Sequence, residues 1–63
     1  MTVNVEGLGK ITASKEALNE IAIALGVSRD FYFKVDCNAL ADKCNKAHGS
    51  IYRALDDSGY FDD

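Results

Sequence analysis

Sixty-three residues, 48% hydrophobic and 27% charged, describe one small folded domain (1–63) with a marginal core. A chain this short buries only about 60% of its unfolded surface. The net charge is −3, yet four of the ten acids fall in the last eight residues, DDSGYFDD, so residues 1–55 carry +1 and no basic patch. Three Phe and three Tyr argue against disorder. No apolar run has membrane-spanning length, and MTVNVEGLGK lacks the basic start and apolar block of a signal peptide. With two cysteines and no secreted-type framework, a cytoplasmic chain with free thiols is expected.

Residues 2–13, TVNVEGLGKITA, alternate apolar and polar positions around Gly7-Leu8-Gly9, which predicts a β-hairpin. The Gly-x-Gly is a weak phosphate-loop signal, because no helix follows it directly and no Lys-Ser/Thr pair closes it. Ser14 is placed to cap a helix, with Glu16 in the first turn where the helix dipole favours negative charge. Leu18, Ile21, Ala22 and Leu25 follow a helical period and define its buried face, and Gly26 reads as its stop. Ile23 falls off that face, and is either simply exposed or a subunit or partner contact.

Residues 24–36, ALGVSRDFYFKVD, admit two parses. In the first, Ala22, Gly26, Val27 and Ser28 have the small, turn, apolar and cap residues at a spacing that resembles the turn of helix-turn-helix DNA-binding domains. Tyr32 and Val35 take the apolar positions six and nine beyond the glycine. The resemblance implies that Ser28, Arg29, Asp30 and Phe33 face the DNA groove or its edge, with Arg29 and Lys34 on phosphate or base. It covers about a fifth of the chain.

In the second parse, Phe31, Phe33 and Val35 alternate with Tyr32 and Lys34 as a β-strand, bracketed by the turn residues Asp30 and Asp36. We prefer the strand, because every residue from Phe31 to Val35 except Lys34 favours strands and little positive charge accompanies them. The expected fold class is then α+β, of order ββαβα, a small three-stranded sheet with two helices packed on one face. Tyr32 and Lys34 would lie on the far face of that sheet. Its two open edges favour a homodimer.

The last helix is expected to start at a cap on Asp36 or Asn38. Leu40, Cys44, Ala47, Ile51 and Leu55 form its buried stripe, with a kink or break at Gly49 and a stop near Gly59. Cys37, Cys44 and His48 invite a metal reading. Cys37 and Cys44, however, are about 10 Å apart along a helix, too far for one zinc or a disulfide. Cys44 and His48 would need two further ligands, and Cys44 on a buried stripe has nothing to activate it as a nucleophile. No metal, no cofactor and no enzyme activity are expected.

The tail from Asp56 to Asp63 is either a solvated, frayed terminus or an interaction segment in which Tyr60 and Phe61 anchor among carboxylates facing a basic partner. The function expected is a non-enzymatic protein–protein interaction module, an inhibitor of a larger basic, nucleic-acid-handling protein. Its partner-binding candidates are Ile23, Tyr32, Lys34, Asp56, Asp57, Tyr60, Phe61, Asp62 and Asp63. The expected partners are another protein and a second copy of the chain, not nucleic acid or a membrane. The alternative is a small helix-turn-helix transcriptional regulator that binds DNA through Ser28, Arg29 and Lys34.

Overall fold

A computed structural model describes residues 1–62. Strands β1 (Thr2–Val5) and β2 (Gly9–Thr12) are followed by two helices, α1 (Lys15–Lys34) and α2 (Asn38–Asp57). The class is α+β, with a two-stranded antiparallel sheet and two packed helices.

The hairpin forms where the alternation places it. Thr2 pairs with Thr12 and Val5 with Gly9, and the turn between them relies on positive φ at Gly7 (87°) and Gly9 (83°). Val3 and Val5 are buried, while Thr2 and Asn4 on the other face are exposed. The buried pair packs against α2, and Leu18, Ala22, Ala47, Ile51 and Leu55 complete the core. Ile21 and Leu25 of α1 pack against that core from the side. The Glu6 amide donates to the Ser50 hydroxyl (3.2 Å), fastening the hairpin turn to α2.

Helix α1 begins as expected: the Ser14 hydroxyl accepts from the Ala17 amide at 3.1 Å. It does not end at Gly26. The helix runs on to Lys34, so neither the third strand over Phe31–Val35 nor a helix-turn-helix turn at Gly26 exists in this fold. The ββαβα order is corrected to ββαα.

The physical reason lies across the helix pair. Gly26 is buried, and a Cβ there would meet the His48 ring at 3.3 Å. The glycine serves close helix–helix approach rather than termination. Ala22 one turn earlier is also fully buried, and its carbonyl accepts a hydrogen bond from His48 Nδ1. Two small residues one turn apart give α2 a flat surface to lie on. Past Gly26 the helix continues through exposed and half-buried residues, tied to α2 by the Arg29–Asn45 hydrogen bond (3.0 Å), although Val27, Phe31, Tyr32 and Phe33 are β-favouring.

The true stop of α1 is Asp36, at φ 59°. The Cys37 amide donates to the Tyr32 carbonyl (2.8 Å) and the Asp36 amide to the Phe33 carbonyl (3.3 Å), the paired bonds of a Schellman motif. Helix α2 therefore starts from Cys37, which makes no side-chain capping bond, and neither Asp36 nor Asn38 acts as the cap. Two further expectations change. Helix α2 passes through Gly49 unbroken, and Ala41 rather than Leu40 is buried, Leu40 being 45% exposed.

Candidate interaction surfaces

The C-terminal end is built by a second Schellman motif. Gly59 has φ 80°, the Tyr60 amide donates to the Leu55 carbonyl (3.0 Å) and the Gly59 amide to the Asp56 carbonyl (3.0 Å). Ser58 adds a hydroxyl bond to the Leu55 carbonyl at 2.7 Å. The reversal folds Tyr60 back onto the core. Phe61, 47% exposed, rests against Tyr52 (centroids 5.5 Å apart) and Tyr60 (5.2 Å). Tyr60 is thus a structural residue, and Phe61 is the aromatic that reaches solvent.

Three carboxylates share this end. Asp56 and Asp57 are exposed in the last turn of α2 and Asp62 is exposed after the reversal; Asp63 lies outside the described residues. Acids in the last turn oppose the helix dipole, and no basic residue offsets them there.

The outer face of α1 is the second surface. Ile23 is 49% exposed, as its off-face position predicts, and it does not stand alone. Val27 (65%) and Phe31 (58%) continue the same stripe at one-turn intervals. Tyr32, half-buried, meets Phe31 edge-on with centroids 5.6 Å apart. Lys34 is exposed in the last turn of α1 rather than on a sheet face. Val27 and Phe31 escape the sequence reading because each is assigned elsewhere, to a turn and to a strand. Their shared spacing emerges only when Gly26 is read as helical.

The residues of the DNA-binding alternative do not converge. Ser28 is half-buried, and Arg29 is engaged within the molecule, donating from Nε to Asp30 (3.1 Å) and from a guanidinium NH to Asn45 (3.0 Å). Only Lys34 of the three is exposed.

Cys37 is exposed and Cys44 partly buried. No group of three or more His, Cys, Asp or Glu side chains is placed to hold a metal among the described residues. Cys44 helps line a shallow apolar groove of about 140 Å³ with Leu8, Leu25 and Ala47, well below the volume of a typical small-molecule site. His48 packs edge-on against Tyr52 (4.4 Å between centroids), as its position one turn away on α2 predicts. The hydrogen bond from Lys46 to Asp42, with the charges of Asp42 and Glu6, raises the Lys46 pKa above its ordinary 10.5. No helix is long and apolar enough to cross a membrane among the described residues.

No protein-family model, no curated protein and no solved structure matches the chain.

Proposed function

We propose that this protein is a non-enzymatic interaction module whose C-terminal end captures a basic surface on a larger protein, inhibiting a nucleic-acid-handling partner. The observation that carries the reading is Phe61. It is about half exposed, backed by Tyr52 and Tyr60, and set at the same end of the molecule as Asp56, Asp57 and Asp62. An aromatic anchor held by other rings loses little conformational freedom on binding, and surrounding carboxylates steer a cationic partner towards it. Asp56 and Asp57 also sit where the helix dipole disfavours them, and binding offers a reason to keep them there.

The test uses the full chain with Phe61→Ala, Asp56→Asn, Asp57→Asn and Asp62→Asn combined. These positions are exposed, so the fold is retained, which helix content by circular dichroism checks. The wild type should retain a discrete basic protein from its host's extract, releasing it as salt rises, and should lower that protein's nucleic-acid activity when both are purified. Equal retention by the variant would refute the role of this end.

A further inference from the structure

A different surface carries an inference independent of that reading. We propose that the outer face of α1 binds the same face of a second copy, antiparallel, with the two helices crossing at Val27 about a two-fold axis.

Ile23, Val27 and Phe31 form an apolar stripe, each about half exposed or more, on the side of α1 away from Leu18, Ala22 and Gly26. In a chain with so small a core, leaving three large apolar side chains in water forfeits much of the available burial. Exposure alone does not say what covers them. The flanking charges do.

Glu20 and Lys34 lie seven residues before and after Val27. Two turns of helix separate each from Val27, about 10 Å, and seven-residue spacing keeps all three on nearly one line. Both charged residues are exposed. An antiparallel pair centred on Val27 therefore sets Glu20 opposite the partner copy's lysine, and Lys34 opposite its glutamate. It also seats Ile23 against the aromatic ring of the opposite helix, and Phe31 against the opposite isoleucine. A parallel pair would instead oppose Glu20 to its own copy and Lys34 to its own copy. The pattern is self-complementary in one orientation only, the property of an isologous two-fold interface.

Three apolar residues with flanking charges make a patch smaller than the roughly 800 Å² per partner of a standard interface, so dissociation on the order of 10 μM is expected. Sedimentation equilibrium of the purified chain from about 1 μM to 1 mM should show a monomer–dimer equilibrium following mass action. Val27→Asp places two carboxylates at the axis and should leave only monomer. Glu20→Lys alone, and Lys34→Glu alone, should each weaken the dimer about tenfold, while the double exchange should restore it. All three substitutions are at exposed positions, and helix content of each of the four variants checks folding.

A wild type that stays monomeric throughout would overturn the proposal. So would a dimer indifferent to Val27→Asp, which would place the contact elsewhere, such as a sheet edge. Single exchanges without effect would overturn the antiparallel arrangement. None of these outcomes bears on capture by the C-terminal end.

Discussion

The His48 imidazole lies over Gly26 so closely that a methyl group on that glycine would come within 3.3 Å of the ring. The ring has little freedom to yield. Its Nδ1 donates to the Ala22 carbonyl, and Tyr52 abuts it edge-on at 4.4 Å. Gly26→Ala should therefore destabilise the protein by about 1 kcal/mol, because overpacking outweighs the gain in helix propensity. With His48→Ala in the background the same change should stabilise, by about 0.5–1 kcal/mol, since the ring no longer occupies the space. Urea denaturation of the four proteins in this cycle checks the sign reversal.

Asp36 holds a left-handed conformation that glycine adopts without steric cost. Asp36→Gly should stabilise the fold by about 0.5–1 kcal/mol, the relief of that strain exceeding the added freedom of the unfolded chain. A rise in thermal midpoint measures it. A fall would mean that the aspartate side chain contributes more than its backbone geometry takes away.

Tyr60 and Phe61 are adjacent and should behave differently. Tyr60→Ala removes a ring packed on the core and should cost about 1–3 kcal/mol. Phe61→Ala, at a half-exposed position, should cost less than about 1 kcal/mol. Truncation at Asp56 would remove the last two residues of α2 together with Tyr60 and should unfold much of the chain. Point substitutions thus separate binding from folding where a tail deletion does not.

The Lys46–Asp42 pair should make stability depend on pH at the alkaline end. The folded-state pKa of Lys46 is raised, so the pair's stabilisation is fully present below about 10.5 and is lost as pH rises through the folded value. The stability difference between wild type and Asp42→Asn should shrink above that pH. It should also shrink at high salt, because both side chains are more than half exposed.

The fold is legible in the sequence wherever a pattern has a local cause. Val3 and Val5 alternate because one face of the hairpin is buried, and Ser14 caps because its hydroxyl meets a free amide three residues on. The reading fails at Gly26 and Phe31–Val35 for a non-local reason. A buried glycine within a helix looks the same as a terminating one until the ring from α2 that needs the space is known. Once Gly26 is taken as a stop, the alternation of Phe31, Phe33 and Val35 invites a strand, and Asp36, with a less common residue type for that stop, passes as a cap. The interaction surfaces follow the same division. Ile23 and Phe61 are visible by position, whereas the stripe that joins Ile23 to Val27 and Phe31 requires the unbroken helix.

The bond from the Glu6 amide to the Ser50 hydroxyl joins positions 44 residues apart, while the contacts between α1 and α2 close around a short turn. Loop-closure entropy makes the nearer contacts the earlier ones to form. The helix pair should therefore assemble first and the β-hairpin dock onto it last. On the native side of the barrier the order reverses, and the hairpin is the segment that detaches most readily. Hydrogen exchange should show this directly: amides of β1 and β2 exchange through a local opening, while those around Ala22 and Ile51 wait for global unfolding.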